Sequence, residues 1–158
     1  MTGAQPSPTP QTGERLRLGD ARWLVSYAVV AAIRLAVARI AFARLDPREL
    51  KTRNRSARRC PAAAGEEASA VLARISYILP RVARRLPWRS DCLIEALAGQ
   101  DWLRAKGFAS EIRIGVEHPE DRPFGAHAWL MSGDTMVTGG DISRYTLLFA
   151  DEEEADAL

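Results

Sequence analysis

The spacing of apolar residues predicts that helices fill the first two thirds of the chain. From Asp20, a candidate N-cap, the chain is largely apolar with few helix breakers until Asp46-Pro47, which predicts a long helix over about residues 21–45. The stretch "RELKTRNRSARRCPAAAG" is basic and rich in small residues, and it is interpreted as a linker. The next segment, "EEASAVLARISYILPRVARRLP", predicts a second helical region with acidic residues in its first turn and a break or kink at Pro80.

A third helix is predicted to begin at Cys92 and to run to about Lys106, before Gly107. Beyond that glycine the apolar period changes to two, which is typical of β-strands. The segment "ASEIRIGVE" predicts one strand, "AHAWLM" and "DTMVTG" predict a hairpin, and "DISRYTLLF" is a candidate for a last strand. Helices that precede a meander of strands indicate an α+β fold.

Composition indicates a globular protein of the reducing cytoplasm. A chain of 158 residues, 47% of them hydrophobic, is long enough for one domain with a modest core. Its two cysteines do not make a disulfide framework, and its first residues lack the charged and apolar regions of a secretory signal. A lone cysteine in such a protein is more often catalytic or simply buried than paired in a disulfide.

Charge is distributed unevenly along the chain, and this bears on possible partners. Residues 1–59 carry a net charge of +8 and residues 60–158 one of −6. The two parts could neutralise each other, or the basic part could meet an acidic partner or a lipid surface. The uncharged run in the long helix covers 11 residues, whereas a bilayer span needs about 20. For residues 21–45 we therefore favour packing against the protein's own domain over peripheral membrane contact.

Cys92 lies where a helix N-terminus would favour a thiolate. Ser90 or Asp91 could cap the helix, leaving free backbone N–H groups beside the thiol. The positive end of the helix dipole lowers a thiol pKa, and the same N–H groups could stabilise an oxyanion. Gly99 costs helix stability, about 1 kcal/mol relative to alanine, and this suggests close packing against a sheet. By itself, the position also fits a structural cysteine.

His127 supplies the base that a nucleophilic thiol would need. It lies inside the predicted strand "AHAWLM", and a strand packed on the Cys92 helix would hold its imidazole near the sulfur. The imidazole in turn needs an acceptor that fixes its tautomer, and Asp141 or Asp134 could provide one. His118 belongs to a polar loop and is interpreted as incidental. His127, Cys92 and His118 lack the ligand spacing of a zinc site, so neither a metal nor another cofactor is expected.

Four segments together resemble a known family. In this order, "DCLIEALAGQDWLRAKGF", "EIRIGV", "AHAWLM" and "VTGGDISRYTLL" resemble the leader peptidases of lasso-peptide biosynthesis, the B-proteins of these clusters. The resemblance implies a transglutaminase-like, papain-like core whose catalytic cysteine starts a helix packed on an antiparallel sheet. It also implies Cys92 as nucleophile, His127 as general base and Asp141 as the third member. The "GG" before Asp141 shifts the spacing of the family, so Asp134 is the alternative.

The resemblance implies a cysteine peptidase that removes the leader from a ribosomally made precursor, before a separate ATP-dependent cyclase closes the macrolactam. It covers about residues 66–149, the expected peptidase domain. Residues 1–13 are predicted to be disordered, residues 14–65 to form an N-terminal helical region with the basic linker, and residues 150–158 to be an acidic tail. No room is left for a fused leader-binding module, so a separate leader-recognition protein is expected. No nucleic acid is expected as a partner.

Two other functions fit the same residues. An acyltransferase would use the same thiol and imidazole but pass the acyl group to an amine instead of water. A non-catalytic scaffold would bury Cys92 and use the long helix for assembly. Reactivity with iodoacetamide well below pH 8 would separate the two enzymes from the scaffold.

Overall fold

The computed structural model describes residues 21–117 and 124–148. The predicted disordered N-terminus (1–13), the acidic tail (150–158) and His118 lie outside these residues. Four helices come first, α1 (Ala21–Phe42), α2 (Pro47–Arg58), α3 (Glu66–Ala83) and α4 (Cys92–Ala105). Four strands follow, β1 (Glu111–Glu117), β2 (Gly125–Ser132), β3 (Thr135–Thr138) and β4 (Thr146–Leu147), in one antiparallel sheet of order β3-β2-β1-β4. The predicted α+β fold is confirmed.

The interpretation of the basic stretch after α1 as a linker is wrong, because most of it forms helix α2. Pro47 occupies the first turn of α2, and the carboxylate of Asp46 caps the helix by accepting a hydrogen bond from the Arg48 N–H at 2.8 Å. Asn54 ties α2 to the sheet, since its side chain exchanges hydrogen bonds with the backbone N–H and carbonyl of Ile112. Its side-chain oxygen also accepts a hydrogen bond from the amide of Gln100 in α4. Long-range polar contacts therefore hold this polar helix in the fold.

The second helical region is less interrupted than its proline suggested. Helix α3 continues through Pro80 and ends at Ala83, with the Arg84 N–H bonded to the Pro80 carbonyl. A proline removes a donor only at its own position, so a helix can run past it where neighbouring contacts hold the last turn. The ring of Pro80 lines the cavity described below.

The core lies where α4 packs between the other helices and the sheet. Leu35 of α1, Leu79 of α3 and Leu130 of β2 are all buried in it. A Cβ atom added to Gly99 would lie 2.6 Å from a methyl carbon of Leu130, so α4 approaches β2 more closely than a larger residue allows. The packing role predicted for this glycine is confirmed, and this close approach brings the first turn of α4 next to β2.

Helix α1 has one buried face and one exposed apolar face. Its inner face packs on α3 and α4, as predicted for this helix. On its outer face five aliphatic side chains, each more than half exposed, form what we call the outer stripe: Val25, Val29, Ile33, Val37 and Ile40. Within the described part of the chain, α1 is the one helix that is long and apolar enough to cross a membrane. Core helices of soluble proteins and signal sequences meet the same criteria of length and composition, but core helices are mostly buried, whereas most of α1 is not.

Candidate active site

Cys92 is the first residue of helix α4. Asp91 has the extended backbone of a capping residue, but its side chain makes no capping hydrogen bond to the described residues. The hydroxyl of Ser90, the other predicted cap, is buried without a hydrogen-bond partner there. The first N–H groups of a helix have no acceptor within the helix. The N–H groups beside the Cys92 thiol are thus left without a side-chain cap and are available to a negatively charged group.

The thiol of Cys92 faces strand β2. The backbone N–H of Ala128 donates a hydrogen bond to Cys92 Sγ at 3.4 Å. Ala128 directly follows His127, so the helix N-terminus and the histidine strand meet at this point. Cys92 is partly buried, and its thiol is free. The hydrogen bond from Ala128 holds the sulfur against the backbone of β2.

His127 is held in a defined orientation by the backbone of Gly139. Its Nε2 lies 2.7 Å from the Gly139 carbonyl oxygen, and its ring stacks on Tyr145 with centroids 4.9 Å apart. A carbonyl oxygen can only accept a hydrogen bond, so Nε2 carries the proton. In the neutral imidazole, Nδ1 is then the nitrogen with a free electron pair, and it is the atom able to act as a base.

Cys92 and His127 line the same cavity. This reactive cavity has a volume of about 500 Å³ and lies between α3, α4, β2 and β3. Its further lining residues are Ser76, Pro80, Arg84, Glu95, Ala128, Met136, Val137, Gly139 and Gly140. A thiol, an imidazole with a fixed tautomer and free N–H groups are the parts that acyl transfer through a thioester requires.

Neither predicted aspartate is hydrogen-bonded to the imidazole of His127 in the described part of the chain. The Asp141 carboxylate is exposed and accepts a hydrogen bond from the Ser143 N–H at 3.0 Å. This backbone hydrogen bond, together with one from the Ser143 hydroxyl, holds the pKa of Asp141 below its usual value. Asp134 lies exposed at the turn between β2 and β3. Within the described residues the orienting position is taken by the Gly139 carbonyl, and the catalytic role of Asp141 stays a prediction.

Gly139 is a residue of the candidate site that was not predicted from the sequence. Its φ angle of 129° lies in a region that favours glycine, and an added Cβ would lie 2.3 Å from Cβ of Trp129. Only glycine can therefore bring this carbonyl to the imidazole. The signal in the sequence was the "GG" pair, but glycine pairs also occur in ordinary turns.

Glu95 was also missed, although it lies only one turn along α4 from Cys92. Burial raises the pKa of this carboxyl from 4.5 to about 7, and the nearby guanidinium of Arg84 acts in the opposite direction. The carboxyl is thus divided between its neutral and charged forms near neutral pH. In a sequence, a glutamate at this position looks like the acidic residues that commonly occupy the first turn of a helix, where they are stabilising.

The raised pKa of Glu95 predicts that the protein loses stability as pH rises. The folded state binds this proton more tightly than the unfolded state, so its contribution is fully present below pH 4.5 and is lost as pH rises through about 7. We expect the free energy of unfolding to fall by about 1–2 kcal/mol over this window, after allowance for solvent screening. Urea denaturation at pH 5 and pH 8 measures the change. Glu95→Gln should remove this part of the pH dependence, and an unchanged dependence would contradict the assignment.

No three His, Cys, Asp or Glu side chains within residues 21–117 and 124–148 lie close enough together to hold a metal ion.

The comparison with known proteins finds one family. No curated protein and no solved structure matches the chain. The family model described as the transglutaminase-like superfamily matches residues 25–150, which include the sheet, helices α2 to α4 and all but the first four residues of α1. Members of this superfamily are mostly cysteine hydrolases and transferases. The chain belongs to the transglutaminase-like superfamily.

Proposed function

We propose that this protein is the leader peptidase of a lasso-peptide pathway, a cysteine peptidase that cleaves the leader from a ribosomally made precursor. The observation that carries the proposal is the Cys92 thiol at a helix N-terminus, in one cavity with an imidazole whose Nε2 is already bonded. The superfamily supports thiol-based acyl chemistry. The resemblance of the four sequence segments supports the particular substrate.

In the proposed reaction His127 Nδ1 takes the proton of the Cys92 thiol, and the resulting thiolate attacks the carbonyl carbon of the last leader residue. The N–H groups of the first turn of α4 stabilise the oxyanion that forms. His127 Nδ1 then gives its proton to the departing amine, which frees the N-terminus of the core peptide. Water, deprotonated by the same nitrogen, attacks the thioester and releases the leader with a free carboxylate. Nε2 keeps its hydrogen bond to Gly139 throughout, so the ring does not need to rotate.

Mass spectrometry of the products tests this reaction against its main alternative. The purified protein is incubated with the precursor and the leader-recognition protein, and both fragments are weighed. A leader with a free carboxylate supports hydrolysis, whereas a leader joined to an amine through a new amide would show acyl transfer. Failure to form either product, together with a Cys92 that resists iodoacetamide below pH 8, would favour the scaffold.

We also propose that the outer stripe of α1 binds the separate leader-recognition protein. Its aliphatic side chains are exposed in one row, and helix α1 contains no acidic residue. Arg22 and Arg44 are exposed at its two ends. A second copy of the helix would bring arginine onto arginine in either orientation, so self-association is disfavoured. A partner with an apolar groove and acidic ends fits this surface.

Placing charge in the outer stripe is expected to weaken the partner complex. The double variant Val29→Asp/Ile33→Asp buries two carboxylates in the apolar contact, and we expect its Kd to rise at least about tenfold. Titration calorimetry with the leader-recognition protein measures the Kd. The control Thr135→Asp/Leu148→Asp adds the same charge at exposed positions of the sheet region. An equal Kd for both variants would contradict the proposal. If the stripe variant keeps its affinity for the partner but no longer binds anionic phosphatidylglycerol vesicles, the outer stripe is a lipid-binding surface.

A further inference from the structure

Tyr145 contacts the imidazole of His127 from a different part of the sheet. It lies one residue before β4, and its ring stacks on the imidazole with centroids 4.9 Å apart and an angle of 30° between the ring planes. Stacking at this separation is a favourable arrangement of two aromatic rings. The proposed reaction uses both nitrogens of the imidazole, but it assigns no role to the side chain that covers the face of this ring.

A glycine in β1 gives Tyr145 access to the imidazole. Gly115 is paired with His127 of β2 on one side and with Leu147 of β4 on the other, and directly paired residues lie on the same face of a sheet. Tyr145 comes two residues before Leu147, and its stacking on His127 shows that it lies on this face as well. The position between the two strands therefore has no side chain that would separate the rings. A Cβ atom added to Gly115 would lie 2.8 Å from the ring of Trp129, so this position cannot hold a larger residue without rearrangement.

The ring of Tyr145 is itself held by Arg144. The guanidinium of Arg144 donates a hydrogen bond to the phenol oxygen at 3.0 Å, and its central carbon lies 5.1 Å from the centre of the ring. Glu117, the last residue of β1, forms an ion pair with the same guanidinium at 3.3 Å. A chain of contacts thus connects the end of β1 with the face of the imidazole, through Arg144 and Tyr145.

Two contacts fix the imidazole where one would leave it free to turn. The hydrogen bond from Nε2 to the Gly139 carbonyl fixes one atom of the ring, and the torsion that turns a histidine ring has broad energy minima. Contact with the face of Tyr145 fixes the plane of the ring, so Nδ1 also keeps one direction. The direction matters because a base must be aligned with the thiol, and a misplacement of about 1 Å can lower the rate about 100-fold.

We infer that Tyr145 is a positioning residue, whose ring fixes the plane of the His127 imidazole so that Nδ1 keeps the orientation that the reaction needs. The inference rests on the proposed peptidase function for its effect on the rate, whereas the stacking is measurable without a substrate. Tyr145 is not among the described residues that line the reactive cavity. It acts through His127, so its loss lowers kcat and leaves the binding of the precursor as it was.

Proton NMR of the histidine ring tests the stacking. Protons that lie over an aromatic face resonate upfield, and the chain has two histidines, so His118→Gln leaves the ring signals of His127 alone. In this background we expect the signals to lie upfield of those of free histidine at the same pH. Tyr145→Phe should keep them upfield because its ring remains, and Tyr145→Leu should move them downfield. Signals that do not respond to Tyr145→Leu would overturn the inference.

The kinetics of leader removal test the consequence of the stacking. Tyr145→Leu is expected to lower kcat about 10–100-fold and to leave KM within about threefold. Tyr145→Phe should keep kcat within about threefold, because the hydroxyl is needed only for the contact with Arg144. Arg144→Gln loosens the ring without removing it and should cause a loss between those of the two Tyr145 variants. It also provides the test if Tyr145→Leu does not fold.

Tyr77→Leu is the matched control. Tyr77 lies in α3 outside the lining of the reactive cavity, and like Tyr145 it has an arginine over its ring, with the central carbon of Arg81 at 3.6 Å from the centroid. This variant should keep the wild-type kcat and the wild-type signals of His127. An equal loss in Tyr77→Leu would mean that any missing tyrosine disturbs the fold, and would overturn the inference.

The remaining outcomes separate the inference from the proposed function. If the wild-type protein releases no core peptide, the proposed function fails, and the role inferred for Tyr145 fails with it even where the NMR shift is present. If the wild-type protein is active and Tyr145→Leu keeps its kcat, the inference alone is overturned. A loss that appears only in KM would place Tyr145 in substrate binding, and a Tyr145→Phe variant as impaired as Tyr145→Leu would assign the effect to the hydroxyl. Either result would also reject the inference.

Discussion

Replacing Cys92 by alanine is expected to lower kcat/KM for leader removal by at least about 10⁴-fold. The acyl group has no acceptor without the thiolate, so the reaction must proceed by direct attack of water, which the remaining N–H groups assist only weakly. His127→Ala is expected to cause a loss of similar size, because thiol and imidazole act as a unit and their contributions are not additive. The measurement is the rate of appearance of the free core peptide, followed by mass spectrometry.

The second cysteine of the chain provides the control for this prediction. Cys60 lies just after helix α2 and outside the lining of the reactive cavity, and like Cys92 it is partly buried and free. Cys60→Ala should retain full activity. The side chain of Cys92 accepts one long hydrogen bond, so Cys92→Ala should unfold within a few degrees of the wild-type Tm. Substantial cleavage by folded Cys92→Ala would refute the assignment of Cys92 as the nucleophile. Loss of activity in Cys60→Ala would show that the effect of removing a thiol is not specific to Cys92.

The elements that position the candidate site were largely predictable from periodicity. A helical pattern that stops at a glycine defined the end of α4, and a period of two defined β1 and β2. Gly99 indicated close packing, and this packing is what brings Cys92 to the strand of His127. These features are local patterns or side-chain sizes, which a single sequence expresses directly.

The features that were missed depend on contacts and backbone groups that no local sequence pattern indicates. Helix α2 is polar, and its place in the fold depends on hydrogen bonds from Asn54 to residues far along the chain. Asp141 was a reasonable partner for the histidine, but its carboxylate is bonded to the N–H two residues on, a frequent arrangement for aspartate. In the structure the group bonded to His127 Nε2 is the carbonyl of Gly139, and every residue in the chain has a carbonyl. Its role follows only from where the backbone runs.

Gly139→Ala is expected to lower kcat/KM for leader removal on the order of 100-fold. The methyl group would lie 2.3 Å from Cβ of Trp129, so the backbone must move and take its carbonyl away from the imidazole. Without that acceptor the His127 ring loses the tautomer that leaves Nδ1 free, and groups that orient a reactive residue in this way typically contribute about 10–100-fold. The bell-shaped dependence of kcat/KM on pH should shift as well, since it reports the titration of thiol and imidazole.

Two neighbouring variants distinguish loss of the carbonyl from general disturbance of this loop. Gly140 also has a positive φ, but an added Cβ would meet nothing within 4 Å, so Gly140→Ala introduces backbone strain without the clash. Asp141→Ala removes the carboxylate that the family resemblance favours while keeping the Gly139 carbonyl in place. If the carbonyl orients His127, both variants should retain activity within about threefold and keep the wild-type pH profile. An Asp141→Ala variant as impaired as Gly139→Ala would instead mean that the carboxylate turns toward the imidazole when substrate binds, and the orienting role would pass to Asp141.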